Sequence, residues 1–322
     1  MKKLSQIICA SLIVVLMVIF SIGGEHFLNV ANLMSITTTM AEFGIMAYGM
    51  MLAIMVSGIN LTMGSVCGLT SLIIISLYKL GVPIVVAVIV ALLASLLMGL
   101  ITGLFISRLK VAPMLMTLSL SMLYTGISYV ISEGNAVSGF PISYWFLGQE
   151  SILGVPAQTW LLIIITIVLT LLLKRTSWGV KLYAVGNNPV ATEYSGVNTA
   201  STITSAYVVS SLLAAISGVI MSSRVATARL DLGASYETKC IAAVVLGGAS
   251  MAGGSGSPIG ALLGVAIFSL LNNGLNHIGV SPYIQQFILG LLLISVLVLN
   301  ENVLPAVISD MKMRRRDRAT TH

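Results

Sequence analysis

Charged residues are scarce in this 322-residue sequence: they make up 8% of it, against 57% hydrophobic residues and a mean hydropathy of +1.04. A soluble domain usually carries about 25% charged residues, because polar side chains must cover its surface. The sequence therefore excludes a water-soluble fold and predicts a chain that lies in the lipid bilayer. The net charge of +6 then indicates basic loops on the inner membrane face rather than a nucleic-acid partner.

Residue sets that would carry catalysis or bind metals are also lacking. Cys9, Cys67 and Cys240 lie far apart in apolar stretches and form no C-x-x-C pair, so they predict buried small side chains. The sequence has no Ser-His-Asp set, paired carboxylates or H-E-x-x-H motif, and no segment fits a P-loop. We therefore expect a non-catalytic chain with no ATPase site, no metal and no cofactor.

Ten apolar runs fill most of the sequence, and a spanning helix needs about 20 mostly apolar residues. The runs lie near residues 7–22, 41–58, 65–78, 82–107, 111–131, 158–173, 202–222, 238–252, 258–275 and 282–299. They predict an all-α polytopic membrane protein with about ten transmembrane helices, forming a single transmembrane domain over residues 1–322. The first run follows two lysines, as in a signal peptide, but no cleavage-type site follows it, so we expect a retained first helix.

The basic residues are distributed unevenly between the two predicted faces. With ten spans and the N-terminus inside, only four of the 16 lysines and arginines fall outside, namely Lys79, Arg224, Arg229 and Lys239. Since inner loops carry an excess of Lys and Arg, both termini are predicted to be cytoplasmic. Residues 174–201 then form the one long inner loop.

A polar break reading SGINLTMGS, Ser57–Ser65, separates two of the apolar runs. Unwound backbone at membrane depth is tolerated where it is buried in protein or lines a water-filled cavity. Asn60, Thr62 and Ser65 are therefore candidates for the translocation pathway of a hydroxylated solute. A tight turn between two helices at the inner interface explains the same residues.

A second break reads GGASMAGGSGSPIG, from Gly247 to Gly260. Gly247, Gly248 and Ser250 are pathway candidates, although glycines at 256, 260 and 264 also predict close helix packing along one face. Asn272 and Asn273 end the next apolar run toward the predicted outer face. They are candidates for the pathway or for helix capping.

The inner loop carries the most specific local pattern, in which Gly186–Pro189 predicts a turn and Pro189 opens a short helix of about residues 189–195. Gly196 is a typical helix end and predicts a positive φ. A short capped helix on the basic face indicates a surface that a partner grips. A solvated loop helix is the alternative.

Arg224 and Arg229 follow the seventh predicted span on the outer face, where most other charges are acidic. Arginine makes bidentate contacts with carboxylates, so both residues are candidates for docking an external protein. They are otherwise solvated loop charges.

Taken together, these segments resemble the ribose-type ABC importer permeases, the family that includes permeases for ribose, other monosaccharides and the furanosyl autoinducer. The resemblance covers nearly the whole chain and rests on Ser57–Ser65, LKVAPMLMT at 109–117, 179–197, 241–264 and NNGLNHIGVSPYIQQ at 272–286. It implies a bacterial inner-membrane subunit that pairs with a second permease chain, a cytoplasmic subunit with two ATPase domains and an extracytoplasmic solute-binding protein. It also implies that the short inner helix docks into the ATPase, which assigns this coupling role to Gly186, Asn187, Asn188, Pro189, Ala191, Glu193, Tyr194 and Gly196.

Two departures from the family pattern bear on the partners. Asn60 stands where the family often has an acid, and Asn188–Glu193 reads NPVATE where members often read NPEAAR. These changes put the identity of the ATPase in question and are compatible with one half of a heterodimer. The sequence favours import of a monosaccharide such as ribose, with a nucleoside or signalling furanose as the alternative within the family. An ion-coupled secondary transporter is disfavoured, because it usually keeps ionisable residues within its spans and only Glu42, near an outer end, is a candidate.

Overall fold

The fold is a bundle of apolar helices, seen here in a computed structural model that describes residues 2–23 and 27–299. In chain order the helices are α1 (Lys2–Gly23), α2 (Val30–Met55), α3 (Met63–Lys79), α4 (Ile84–Ser107), α5 (Pro113–Ser132), α6 (Phe146–Gln149), α7 (Ala157–Arg175), α8 (Ser177–Asn187), α9 (Pro189–Tyr194), α10 (Thr199–Val225), α11 (Tyr236–Leu246), α12 (Pro258–His277) and α13 (Pro282–Leu299). A 3-10 turn, Ile142–Trp145, precedes α6. Two antiparallel ladders of two residues per strand pair β1 (Val137–Ser138) with β4 (Thr227–Ala228) and β2 (Ser151–Ile152) with β3 (Val155–Pro156).

Each of the ten predicted apolar runs coincides with a helix, but the helices differ in length. Seven of them, within the described residues, are long and apolar enough to cross a membrane: α1, α2, α4, α5, α7, α10 and α12. Helix α3 and residues 283–292 of α13 form shorter apolar helices, and α11 has only 11 residues. The chain is therefore an all-α membrane protein. The tally of ten spans and the cytoplasmic placement of both termini stay predictions, and the basic C-terminal tail lies outside the described residues.

Helix α2 begins eleven residues before its predicted apolar run. The residues in between include polar side chains that lower hydropathy without interrupting a helix. The Thr38 hydroxyl donates to the Met34 carbonyl at 2.9 Å and the Thr37 hydroxyl to the same carbonyl at 2.8 Å, so each polar group is satisfied within the helix. Asn29 caps the first turn by accepting from the Ala31 N–H.

The core is built around α2 and α10. Residues 41–55 of α2 are buried without a gap, and Tyr48 and Tyr207 are among the largest fully buried side chains. Small residues let α4 approach α10 closely, because a Cβ placed at Gly99 would lie 2.7 Å from the Val208 Cα, and one at Gly103 equally close to the Thr204 Cα. Such glycine-mediated contacts are how helix backbones meet in membranes.

Helix α11 is only 11 residues long, about 16 Å at 1.5 Å per residue, and so spans about half of a bilayer core. Its first residue, Tyr236, packs edge-on against Phe43 at the middle of α2, with ring centroids 5.8 Å apart. The chain from Arg229 to Ser235 therefore descends, without a helix, from the end of α10 to mid-depth. Gly68 of α3 makes room for it, since a Cβ there would stand 2.5 Å from the Leu230 carbonyl oxygen.

The predicted outer segment between α5 and α7 folds onto the end of α10. Phe140 stacks on Tyr144 with ring centroids 4.3 Å apart, and the Tyr144 hydroxyl shares a 2.7 Å hydrogen bond with Ser222. Burial raises the pKa of the Tyr144 phenol, which stays neutral. The segment is thus a packed cap rather than a free loop.

Candidate functional site

The predicted inner loop is almost entirely helical. Helix α8 runs through Gly186 and Asn187, so the prediction of a turn at Gly186–Pro189 is wrong for its first two residues, and Asn188 alone breaks the helix. The Asn188 backbone is extended, and its side-chain oxygen accepts from the Ala191 N–H at 2.9 Å. Asn188 thus caps α9, with Pro189 at its first position as predicted. Gly196 has a φ of +82°, which confirms its predicted conformation.

Helix α9 projects apolar side chains away from the rest of the chain. Tyr194 is 90% exposed and Val190 61% exposed, while Ala191 and Glu193 lie on the same exposed helix. Of the six residues of α9 only Thr192 is buried. Tyrosine is enriched in protein interfaces, so the exposed Tyr194 makes this helix a candidate contact surface.

Helix α8, by contrast, is wedged between the two polar breaks. Gly186 leaves no room for a side chain, because a Cβ there would collide with the Met55 carbonyl oxygen and the Gly254 nitrogen. Those two atoms bond to each other, with Gly254 N–H donating to the Met55 carbonyl at 3.0 Å. Gly186 therefore rests on the point where the end of α2 meets the glycine-rich loop.

Side chains from all three segments complete this contact, which we call the glycine junction (residues 55–57, 183–187 and 252–256). Ser57, at a φ of +60°, donates to the carbonyls of Ala252 at 2.8 Å and Gly186 at 3.2 Å. Asn187 reaches the Gly254 carbonyl at 3.4 Å, and the Tyr183 hydroxyl donates to the Gly256 carbonyl at 2.7 Å. Burial raises the pKa of the Tyr183 phenol, so it keeps the proton that it donates.

The first polar break is a closed hydrogen-bonded structure within this chain. The Asn60 side-chain oxygen accepts from the Thr62 N–H at 3.1 Å and the Thr62 hydroxyl at 2.6 Å, and its amide donates to Ser210 of α10 at 2.9 Å. The Ser65 hydroxyl turns back to the Thr62 carbonyl. Asn60 and Thr62 are fully buried, so their pathway role stays a prediction.

The second break serves helix packing at its first and last glycines. Gly247 abuts the Gly260 carbonyl, and Gly264 abuts the Ala243 carbonyl, which brings α11 and α12 together. Gly256 lies before α12 begins and contacts Met51 and Met55 instead, so the three spaced glycines do not share one helix face. Gly248 turns the chain with a φ of +93°, and the Ser250 hydroxyl accepts from the Ala252 N–H.

The two predicted docking arginines each bind a carboxylate of their own chain. Arg224 forms a two-point ion pair with Glu42, a side chain only 1% exposed. Arg229 is hydrogen-bonded through two nitrogens to Asp231, at 2.9 and 2.6 Å, and both side chains are half exposed. Both arginines are thus partly exposed, but only the carboxylate partner of Arg229 is exposed as well.

Two ionisable residues that the charge count places on the outer face lie inside the bundle. Glu237, in the first turn of α11, accepts from the Gly64 N–H at the start of α3 at 2.9 Å. Lys239 lies with its ammonium 5.3 Å from the Tyr236 ring centroid. Hydropathy alone misses this placement, because the seven irregular residues before α11 do not reveal their depth.

The two asparagines near the end of α12 face different neighbours. Asn273 donates to the Asn32 side chain of α2 at 2.9 Å. Asn272 lines a cavity between α11, α12 and α13, together with Thr238, Lys239 and Gln286. Of this predicted pair, only Asn272 borders open space.

The sequence matches a family of known transport proteins. Residues 32–297 match the model of the branched-chain amino acid transport system / permease component family. That span contains both polar breaks, α8, α9 and the glycine junction. The chain belongs to this family of permease components.

Relatives of the permease cover nearly its full length. It is 36% identical over 288 residues to the ribose import permease protein RbsC of Bacillus subtilis, which covers 89% of each chain. It is 37% identical over 295 residues to RbsC of Escherichia coli K12, covering 90% of this chain and 92% of the relative. The autoinducer 2 import system permease protein LsrD of Yersinia enterocolitica is 32% identical over 301 residues, covering 91% and 90%. No solved structure gives a significant match.

Proposed function

We propose that the permease is the membrane subunit of a binding-protein-dependent ABC importer for ribose or a similar monosaccharide, in a bacterial cytoplasmic membrane. The names of its relatives support the solute class. The structural observation that carries the mechanism is the pairing of an exposed α9 with a deeply seated α8. One end of this segment is free to bind a partner, and the other rests on the polar breaks of the bundle.

The proposed partners follow from this arrangement. A cytoplasmic ATPase with two nucleotide-binding domains contacts α9 through Tyr194 and Val190. A second permease chain, identical or related, completes the pathway, and a soluble binding protein delivers the solute from outside. The prediction of ten spans with both termini inside places α8 and α9 on the ATPase side.

The glycine junction transmits movement of the ATPase to the helix bundle. Movement of α9 is passed to α8 across the single residue Asn188. Since Gly186 is in backbone contact with both Met55 and Gly254, α8 moves the end of α2 and the glycine-rich loop together. The loop continues into α11 and α12, so one displacement reaches both polar breaks.

The coupling proposal is tested by Tyr194→Ala and Gly196→Val. Burying a large side chain contributes about 1.5–3 kcal/mol, so Tyr194→Ala should weaken ATPase binding tenfold or more. Gly196→Val should distort the exit of α9, because valine disfavours a positive φ. Membrane insertion, ATPase co-purification and ATP-dependent uptake are the measurements. Tyr129→Ala, an exposed tyrosine on α5, is the matched control.

Two outcomes would reject parts of this proposal. Wild-type uptake with the ATPase still bound in both variants would remove the coupling role from α9. Uptake that persists without any ATPase would favour an ion-coupled transporter instead.

A signalling furanose is the second candidate solute, favoured by the 32% identity to LsrD. The permease should be co-purified with its native partners, and the solute bound to the external protein identified by mass spectrometry. A bound pentose supports the first candidate, and a furanosyl signal or a nucleoside supports the alternative. The stoichiometry of the same complex distinguishes a homodimer from a heterodimer.

Docking of the binding protein is proposed at the exposed Arg229–Asp231 pair. Arg229→Ala should weaken docking with a steep salt dependence, because exposed charges are screened within about 8–10 Å at physiological salt. Transport at limiting binding protein is the measurement. Arg224→Ala is a poor probe, since it also strips Glu42 of its partner. Unchanged transport in Arg229→Ala would exclude this docking site.

A further inference from the structure

A polar cavity lies between α2, α11, α12 and α13, apart from the glycine junction. Its main part measures about 490 Å³ and is lined by Ala234, Ser235, Thr238, Lys239, Ala242, Phe268, Asn272, Gln285, Gln286, Leu289 and Gly290. A side pocket of about 50 Å³ shares Lys239, Phe268, Asn272 and Leu289 with it and adds Thr39, Phe43, Tyr236 and Ser269. The volume is within the range of about 300–1,000 Å³ that small-molecule sites occupy.

The chemistry of the lining suits a hydroxylated molecule rather than a lipid tail. The lining combines hydroxyls, carboxamides and one ammonium with the rings of Phe268 and Tyr236. An acyl chain in this space would leave those polar groups without partners, which is costly in an apolar medium. A polyol offers both acceptors for the donors and apolar C–H faces for the rings.

Lys239 is the charged group of the cavity. Among the described residues the ion pairs are Arg224–Glu42 and Arg229–Asp231, so Lys239 has no carboxylate partner there. Ionisable residues at membrane depth are expensive and mark solute or ion pathways. The Lys239 ammonium provides three hydrogen-bond donors, which water or solute hydroxyl oxygens can accept.

Ser269 is a second, independent indication of a ligand. It is 2% exposed and lines the side pocket, yet its hydroxyl has no hydrogen-bond partner within the described part of the chain. A helical serine usually returns its proton to the carbonyl one turn earlier, as Ser222 does toward Gly218 in α10. Leaving a buried hydroxyl unpaired destabilises the fold, unless a bound molecule supplies the bond.

We infer that this cavity is a solute-binding site of the permease for a neutral, pentose-sized polyol, in which Lys239 and Ser269 contact the solute hydroxyls. The inference rests on the proposed import function and adds the place where the membrane subunit holds its solute. Asn272, a pathway candidate from the sequence, lies on the wall of this site. Asn60 and Thr62, which are sealed by their own hydrogen bonds, do not.

The first test uses matched substitutions in the importer reconstituted in proteoliposomes with its ATPase and binding protein, with ribose as the probe. Lys239→Met should lower ATP-dependent uptake at least tenfold, with Lys239→Arg partly active, while Lys79→Met at the end of α3 keeps the wild-type rate. Ser269→Ala should lower uptake at least threefold without loss of thermal stability. Ser211→Ala, another unpartnered buried serine, should leave uptake unchanged. Wild-type uptake in both Lys239→Met and Ser269→Ala would overturn the inference.

The second test probes the cavity directly and does not depend on activity. Gln286→Cys places a thiol on the cavity wall, and Phe287→Cys places one on the neighbouring position, which is 71% exposed but outside the lining. Cys9, Cys67 and Cys240 are buried and give little background. A charged thiol reagent should modify Gln286→Cys at least tenfold faster than Phe287→Cys, and ribose in the cycling complex should slow that reaction.

The outcomes separate this inference from the proposed function. Equal rates in the two cysteine variants would mean that lipid or a second permease chain fills the cavity, and rates unaffected by ribose would mean that no solute binds there. Either result overturns the site while ribose import by the wild-type complex leaves the proposed function intact. Absence of uptake of any monosaccharide by the wild-type complex would instead reject the proposed function.

Discussion

A single guanidinium stabilises the buried carboxylate of Glu42. Arg224 Nη2 lies 3.2 Å from Glu42 Oε2, and Glu42 has almost no contact with solvent. Removing one partner of a fully buried ion pair costs about 3–5 kcal/mol, because the other charge is left uncompensated, and a smaller loss is expected here because the Arg224 side chain is 43% exposed. Arg224→Met should therefore lower the thermal unfolding midpoint of the detergent-solubilised chain.

The Arg229–Asp231 pair supplies the control for this prediction. It is half exposed, and exposed pairs contribute about 0–1 kcal/mol, so Arg229→Met should change the midpoint little. Adding Glu42→Gln to Arg224→Met should recover part of the loss, since no charge is then buried alone. Equal midpoints for Arg224→Met and Arg229→Met would contradict the importance assigned to the Arg224–Glu42 pair.

Gly186 should tolerate not even one methyl group. The two atoms that a Cβ would meet are backbone atoms of Met55 and Gly254, which cannot rotate aside, and overpacking a tight site costs about 1–3 kcal/mol. Gly186→Ala should reduce the yield of folded chain and uncouple ATP hydrolysis from uptake. Gly126→Ala is the matched control, because it faces open space on α5 and should be neutral or slightly stabilising. If Gly186→Ala behaves like Gly126→Ala, the glycine junction is not tightly packed.

At the scale of elements, Glu237 joins the first turns of two short helices. Its carboxylate accepts from Gly64 in α3 and lies at the positive end of α11. Thr62, at the N-cap of α3, makes no side-chain cap bond. Glu237 instead caps the first turn of α3 from another helix. Loss of a cap costs about 0.5–2 kcal/mol.

Glu237→Ala should therefore destabilise the chain by about 1 kcal/mol and speed amide exchange in the first turn of α3. Hydrogen exchange read by mass spectrometry is the measurement. Glu237→Gln keeps an acceptor oxygen and should recover part of the protection, while the exposed Glu150→Ala should have no effect there. Unchanged exchange at residues 63–66 in Glu237→Ala would rule out the capping role.

The sequence predicted where helices occur better than where they end. Hydropathy located all ten runs, but threonines that bond back within α2 hid its first eleven residues. Hydropathy also predicted that α11 extends to residue 252, whereas the helix ends at Leu246 and the chain turns at Gly248. Rules that depend on a few neighbouring residues succeeded at Pro189, which opens α9, and at Gly196, which has the predicted positive φ.

In the candidate site, too, features set by neighbouring residues were predicted and features set by distant residues were not. Helix α9 depends on caps and turns within a few residues, so it was predictable. The glycine junction joins residues 55–57, 183–187 and 252–256, and the Asn60–Ser210 bond crosses 150 positions of sequence. No local pattern encodes such pairings. The depth of Lys239 was missed for this reason, since it depends on how the chain folds between Arg229 and Ser235.

At the scale of the whole molecule, the positive-inside distribution predicts how the bundle is oriented. Reporter fusions at Thr176, between α7 and α8, should score cytoplasmic, and fusions at Ser138 in β1 should score external. Leu230 is a poor insertion point because its backbone lies against α3. A fusion at His322 should also score cytoplasmic. An external signal at Thr176 would reverse the assignment of α8 and α9 to the ATPase side.

The close approach of α4 to α10 bears on which parts of the molecule slide during a transport cycle. Gly99 and Gly103 fit against Val208 and Thr204 with no room for an added methyl group, so a sliding motion along this seam would drive larger side chains into backbone. We therefore expect these two helices to move together as one rigid unit. Helix α13 contacts α11 and α12 only in part, because the open cavity lies between them. Relative motion during transport is thus expected between the α4–α10 pair and α13. A disulfide engineered between α4 and α10 should therefore leave the rate of ATP-dependent uptake unchanged.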